Sequence, residues 1–393
     1  MIVSRSPVTP VGPALVFTAP IDITDALITS RGSAVFDGLV IENTSYSANN
    51  GAAIYVTTTQ PVTIQNCTLK AQKNCIGSVN SGTNVTVLNC LGVARNTTQA
   101  GQTAGRFVSL YQPASLIVEN NTMIGGGIYS DGSPVVGGTT IYRVRYNRAL
   151  NVDGRLSDGA GGYVFERANT AGTYFQTRQM VQINNGDFPA GGEIAWNECV
   201  NDPFISRPED SINIYGARGT EALPVRIHDN YIQGGSPTRP YDVGFSGTGI
   251  VCEHDSRYVL IEDNQIVSYG NAAITLVNSD HCRALRNRAV GDGKIAGQVS
   301  FSRREAFLLY NAESVPPGAQ TTTCSFEDNL HAWSGPSGSL EPAYAPEAGS
   351  NGNFLSGMTS LGTPDEAMEA AELAIWNAKK TAAGVVVGST LAA

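Results

Sequence analysis

The sequence predicts an all-β chain wound as one solenoid of short parallel strands, with an N-terminal cap and a C-terminal α-helix. Three observations carry this reading: a repeat of about 23 residues marked by Asn or Cys, alternating β-branched runs between the marks, and a second apolar column that keeps step with the first. The expected organisation is a cap over 1–34, the coil over 35–332, and a Gly/Pro-rich linker with a helix over 333–393.

Composition allows this and excludes other classes. The 393 residues are 41% hydrophobic and only 15% charged, with 43 glycines, which supplies a large core and many tight turns and rules out ordinary disorder. Length alone suggests two or three domains, but β-rich repeats run long as one unit, so one main domain is expected. Acidic residues outnumber basic ones 34 to 25, and no basic block is present to neutralise phosphates, so nucleic acid is not an expected partner. Apolar runs such as Ala14 to Phe17 fall far below the roughly 18 residues of a membrane span, so no membrane partner is expected either. Seven cysteines without C-x-x-C spacing read as buried thiols rather than a disulfide framework or zinc site.

The repeat is an apolar residue three positions before Asn or Cys. It recurs at Ile64/Cys67, Val87/Cys90, Val118/Asn121, Val144/Asn147, Ile194/Asn197, Ile227/Asn230, Ile261/Asn264, Ala284/Asn287 and Phe326/Asn329, with Thr44 as a candidate first member. Asparagine tolerates the left-handed backbone of a tight turn, and stacked Asn side chains can hydrogen-bond along an axis. The 50 residues between Asn147 and Asn197 leave room for one unrecognised coil, giving about eleven in all. Runs such as Val62-Thr63-Ile64 and Val85-Thr86-Val87 supply the strands. The second register, including Ile54-x-Val56, Val108-x-Leu110, Ile212-x-Ile214, Ile250-x-Cys252, Ile274-x-Leu276 and Phe307-x-Leu309, puts apolar pairs inside and Thr57, Tyr111, Tyr215, Glu253, Val277 and Tyr310 outside.

At the C-terminus, Thr363-Pro364-Asp365-Glu366 reads as a capping box. Met368, Ala371, Ile375 and Trp376 form one helical face, and Lys379, Lys380 and Gly384 mark the stop. The helix is expected to cap the coil or pack on its flank, with a subunit contact as the alternative.

Over about Val35 to Ala332, these marks resemble the right-handed parallel β-helix superfamily typified by pectate lyases, other polysaccharide-active enzymes and phage tailspikes. The resemblance is architectural and implies a single-stranded right-handed parallel β-helix. It carries over no catalytic residue, and it implies a polysaccharide substrate met outside the cell or in the periplasm, although the N-terminus shows no signal-peptide pattern and a cytoplasmic location stays open.

Insertions locate the expected cleft, since the chain lengthens before Tyr215, Glu253 and Tyr310 and its loops should crowd that strand face. Tyr215, Glu253, His254 and Asp255 are the candidate catalytic residues. Tyr111, Asp210, Arg218, Arg239, Asp280 and Tyr310 are candidates for binding substrate, with Asp242 nearby. Lys70 and Lys73 are placed on turns outside the cleft, and His228 and His331 are read as structural. Two chemistries fit. In elimination on an acidic polysaccharide, placed first, Arg218, Arg239 or a calcium ion held by Glu253 and Asp255 neutralises the sugar carboxylate while Tyr215 or His254 removes the α-proton. In glycoside hydrolysis, two of Asp210, Glu253, Asp255 and Asp280 flank the bond. No cofactor is required beyond the optional calcium. The competing class is a non-catalytic glycan-binding or tailspike-like protein, and the oligomeric state is left open.

Overall fold

The computed structural model describes residues 19–47, 51–132, 138–164, 175–236, 247–295, 297–299, 304–312, 320–335 and 338–392, so Arg239 and Asp242 lie outside the described residues. Each coil contributes three short strands, for example Val108–Tyr111, Ser115–Glu119 and Thr122–Ile124, with the next coil repeating them at Ile128–Asp131, Ile141–Arg145 and Arg148–Leu150. Equivalent strands pair in parallel, in register, to give three eleven-stranded sheets. Crossovers between parallel strands are right-handed in nearly all proteins, and the chain is a right-handed parallel β-helix. Alternation places Ile212, Ile214, Ile250, Cys252, Ile274, Leu276, Phe307 and Leu309 in the axial core.

Strand pairing starts at Ile21–Ile23 and ends at Thr359–Ser360, on both sides of 35–332. Parallel pairing is made by backbone, so a terminal coil forms without a ladder residue. A short helix, α1 (Asp25–Arg31), follows the first strand, with Thr24 Oγ1 accepting from Leu27 N at 3.1 Å.

The Asn column is a buried chain of hydrogen bonds. Each Nδ2 donates to the next Oδ1: Asn121 to Asn147 at 3.0 Å, Asn147 to Asn197 at 2.9 Å, Asn197 to Asn230 at 2.9 Å, Asn230 to Asn264 at 2.8 Å, Asn264 to Asn287 at 2.9 Å and Asn287 to Asn329 at 3.1 Å. The same Oδ1 atoms also accept from backbone N–H groups, as when Cys90 N donates to Asn121 at 2.8 Å. The left-handed residue is not the ladder Asn but the one before it: Asn120, Tyr146, Trp196, Asp229, Asp263, Arg286 and Asp328 all have φ between 51° and 60°. Asparagine is therefore selected here for its side-chain amide, and the neighbour absorbs the strain. All seven cysteines are buried free thiols, and Cys67 and Cys90 extend the column.

Two sequence alignments shift. Val40 pairs with Thr68, so the position before Cys67 in the column is Leu39 rather than Thr44. Asn147 bonds directly to Asn197, and Val144 pairs with Ile194. The 50-residue spacing therefore holds no extra coil but an excursion over 151–180, which bridges the loop before Val108 at Thr103–Leu156.

The helix α2 (Glu366–Ala382) begins at Asp365, whose Oδ1 accepts from Met368 N at 2.8 Å. It lies on the flank of the coil. Trp376 packs on Tyr231 and Val267 and donates Nε1–H to Asp229 O at 2.9 Å. Ile375 is 44% exposed, contrary to the expected face, whereas Glu372 is buried. Its carboxylate takes both oxygens to Arg288 Nε at 2.7 Å and accepts from Gln265 at 2.8 Å. A charge rather than an apolar stripe fixes the docking register. Glu372→Ala leaves Arg288 with no counter-charge; because Arg288 can still reach water, the cost is about 2–3 kcal/mol, below that of a fully buried pair. We expect limited proteolysis to release the segment after Gly362 faster in this variant, and unchanged cleavage would overturn that role.

No helix among the described residues is long and apolar enough to cross a membrane.

Candidate active-site groove

The outward face of the first sheet carries two columns. Gln182, Asn213, Val251, Thr275 and Leu308 form one, and Asn184, Tyr215, Glu253, Val277 and Tyr310 form the other. The second is the outward column expected from the sequence, and Tyr111 belongs to it through Asp131. Together the columns floor a cavity of about 610 Å³. Its walls come from the 151–180 excursion, which supplies Thr177 and Gln179, and from the loop before Ile212, which supplies Glu209 and Asp210; His254 closes the opposite edge.

Of the ten candidate residues, the structure brings five into this cavity: Asp210, Tyr215, Glu253, His254 and Tyr310. Tyr111 is 42% exposed and lies three strands before Tyr215, outside it. Asp255 and Arg218 do not join it, because the chain turns at His254 and Asp255, both left-handed. Asp255 pairs there with Arg218 at 3.0 Å and Arg257 at 2.8 Å, while Asp280 holds His281 at 2.6 Å. These charges stack along the corner through Arg218, Arg257 and Asp280. Arg218 is already committed to a carboxylate, and Asp255 to two arginines. Glu253 and Asp255 therefore do not converge as paired ligands. Among the described residues, no group of three or more His, Cys, Asp or Glu side chains is close enough to hold a metal ion.

The feature that sequence reasoning missed is Asn213. Its buried amide Nδ2 donates to Asp210 Oδ2 at 2.8 Å and to Glu253 Oε1 at 2.9 Å, so one nitrogen clasps both carboxyls. Two hydrogen-bond lengths separate the bonded oxygens, at most roughly 6 Å. Asp210 Oδ1 also accepts from Thr248 N at 2.7 Å. Burial, reinforced by Glu209 and then Glu253, pushes the Asp210 carboxyl well above the ordinary carboxylate range despite these donors. Burial also raises Glu253, opposed by the Asn213 donor and His254. Glu209 lies on the same wall and pairs with Arg207 at 3.1 Å.

Tyr215 is stacked on His254, with centroids 4.1 Å apart and planes 14° apart. Burial and the adjacent Glu253 raise its phenol, which keeps it protonated and makes it a hydrogen-bond donor rather than a base at neutral pH. Tyr310 is raised in the same way, again by burial first and Glu253 next. The site thus offers a carboxyl biased toward its acid form, a second carboxyl beside it, and tyrosine and aliphatic surface on the floor. His228 bridges Glu193 and Asp229, away from the groove, as a structural reading expects. Lys73 departs from expectation. It lines a second cavity that continues the groove, because the loop before Val108 folds over the corner that carries it.

No protein-family model and no curated protein sequence matches the chain. Among solved structures, the chain is similar to a mutant of the periplasmic alginate epimerase AlgG, with 10% identity, coverage of 84% of this chain and 78% of that chain, and a TM-score of 0.33.

Proposed function

We propose that the chain is a polysaccharide-cleaving enzyme that hydrolyses glycosidic bonds with Asp210 and Glu253. The observation that carries this reading is the Asn213 amide, which holds two carboxyls side by side in an open groove while burial biases one of them toward its protonated form. Asp210, the more strongly raised, protonates the leaving oxygen. Once it holds its proton, the repulsion on Glu253 falls and Glu253 acts as the carboxylate facing the anomeric carbon. Tyr215 and Tyr310 offer ring faces for the apolar C–H face of a sugar and hydroxyls for its polar edge.

The clasp favours one stereochemistry. Its upper limit of roughly 6 Å admits the roughly 5–5.5 Å of retaining enzymes and falls short of the roughly 6.5–9.5 Å that leaves room for a water. Hydrolysis is expected to yield first the anomer with the configuration of the substrate, read by proton NMR before mutarotation. Inversion would move the second role from Glu253 to a carboxyl farther from Asp210, with Glu209 the candidate.

Elimination on an acidic polysaccharide is the second reading. It is favoured by His254, which lies in the cavity against Tyr215 and can accept a proton. One assay separates the readings: pectate, alginate, glycosaminoglycan and neutral glycans are incubated with and without calcium while ultraviolet absorbance and reducing ends are followed together. Reducing ends alone support hydrolysis, absorbance with reducing ends supports elimination, and silence in both channels with retained glycan binding supports a non-catalytic binder.

A further inference from the structure

The groove continues past the carboxyl pair. Toward the N-terminal coils it opens into a second cavity of about 390 Å³, which shares Thr177, Gln182 and Asn184 with the first. Here the charge reverses: Lys73, Arg106 and Arg178 line the cavity, and no described carboxylate does.

Arg106 is only 7% exposed, yet all its partners among the described residues are neutral. Its Nη2 donates to Gln182 Oε1 at 2.8 Å and Thr177 O at 3.3 Å, and the guanidinium lies over the Tyr129 ring, 4.4 Å from its centroid. Its buried Nη1 has no acceptor among the described residues. Arg178 is held by Ala104 O at 3.4 Å, Thr177 O at 2.9 Å and Gln176 Oε1 at 3.1 Å, again without an anion. Lys73 Nζ sits 5.4 Å from the Tyr46 ring centroid. Burying a guanidinium without a counter-charge is costly, and a second one beside it adds repulsion. Burial, then the proximity of Arg178, lowers the Arg106 pKa well below its ordinary value, and burial lowers Arg178 to about 10. The tyrosine ring and the neutral acceptors hold this charge in place but do not neutralise it.

We propose that this end of the groove is an anion subsite, in which Arg106 and Arg178, with Lys73, bind the carboxylate or sulfate of an acidic sugar in the glycan. An anion entering the groove meets the more open Arg178 and Lys73 first, and a turn of the Arg106 guanidinium gives Nη1 its missing acceptor through a charge-assisted bond. The location sets which sugar is read. Gln182, which orients Arg106, is the direct strand partner of Asn213, the residue that clasps the carboxyl pair. Adjacent strands lie about 4.8 Å apart, so the anionic group belongs to a sugar next to the cleaved bond or one unit beyond it. The placement of that bond rests on the hydrolase reading; the anion subsite itself does not.

The test measures binding without turnover, by calorimetry on the full chain carrying Asp210→Asn. The probes are oligogalacturonate, a sulfated dextran oligosaccharide that carries no uronate, and a neutral dextran oligosaccharide. An acidic probe is expected to bind more tightly than dextran, with affinity that falls as salt rises. Arg106→Gln and Arg178→Gln are each expected to weaken that binding roughly tenfold or more, leaving dextran unchanged. Preference for the uronate or for the sulfate identifies which anion the site takes. Equal affinity for acidic and neutral probes, or acidic binding that is unchanged in both arginine variants, overturns the proposal. Arg178 is the more exposed of the two, so its variant keeps the test valid if Arg106→Gln does not fold. Arginine-dependent anion binding together with no cleavage by the wild type sustains the subsite while sinking the hydrolase reading. Cleavage of glycans without any anion preference does the reverse.

Discussion

Asp210→Asn is expected to lower glycan cleavage by about 10²–10⁴-fold while leaving the protein folded and gaining stability relative to the wild type as pH rises. The loss of activity follows from removing the acidic proton that burial, Glu209 and Glu253 keep on this carboxyl. The gain in stability follows from the same shift. Below the ordinary pKa of an Asp, about 3.9, both folded and unfolded chains carry the proton. As pH rises from there toward the raised folded value, the unfolded chain releases its proton while the folded one retains it, so the folded state loses stability across that window. Asparagine has no proton to lose, but its single amide oxygen can accept from Asn213 or from Thr248 and not from both, which offsets part of the gain at every pH. The melting temperature of the variant relative to the wild type is therefore expected to rise as pH rises from about 4 toward neutral, while wild-type activity declines through the raised pKa of Asp210. An active variant would remove Asp210 from the chemistry; a melting difference that does not change with pH would show that its carboxyl is not held in the acid form.

Asn230→Ala carries the largest expected effect on the fold. Asn230 Oδ1 accepts from Asn197 N and Asn197 Nδ2, both at 2.9 Å, and its Nδ2 donates to Ile194 O at 2.9 Å and Asn264 Oδ1 at 2.8 Å. All of these atoms lie at the buried inner corner of the coil. Alanine leaves Asn197 N and the Ile194 carbonyl without these partners, strips Asn197 Nδ2 of one of its two acceptors while Val144 O remains, and offers water no access to them. At about 1–3 kcal/mol for each of the two stranded groups, the loss is about 2–6 kcal/mol, and the urea midpoint is expected to fall with little change in slope. A loss below about 1 kcal/mol would mean that neighbouring coils relax to re-pair these groups, and the ladder would then be a consequence of the winding rather than a support for it.

Much of the fold was legible because a solenoid writes its geometry into the chain at fixed intervals. Asn121 to Asn329 mark one corner of successive coils, and the outward positions Tyr111, Tyr215, Glu253 and Tyr310 were placed on one line of the first sheet before any pairing was known. The helix α2 was visible from its cap and stop signals, but its buried face was misjudged. A buried Glu372 that pairs with Arg288, far away in sequence, looks like a solvated residue to any helical pattern.

The candidate site was legible only where it coincided with the repeat. Tyr215, Glu253 and Tyr310 were found by register, and Asp210 and His254 by their place beside it. Asp255, Arg218 and Asp280 were drawn in by proximity along the chain, but left-handed turns at Gly216, His254 and Asn278, one on each coil, carry them to the corner, where Asp255 pairs with Arg218 and Arg257 and Asp280 with His281. Asn213 was passed over because an asparagine on a strand carries no signal of chemistry until two carboxyls converge on its amide. The long interval between Asn147 and Asn197 did hold information, but it marked an excursion rather than a coil.

By itself, then, the sequence determined the winding, the ladder and the outward line of the groove floor. Those depend on backbone pairing and on side chains that recur with the coil, so spacing alone is sufficient to place them. The tertiary structure alone decided which groups meet above that floor: Asp210 with Glu253 through Asn213, and Arg106 with Arg178 and Lys73 one step along the groove. Asp210, Arg106, Arg178 and Lys73 reach the groove from loops, an excursion and a corner whose paths obey no period. What joins them is burial and unbalanced charge, properties of a shared space rather than of positions along a chain.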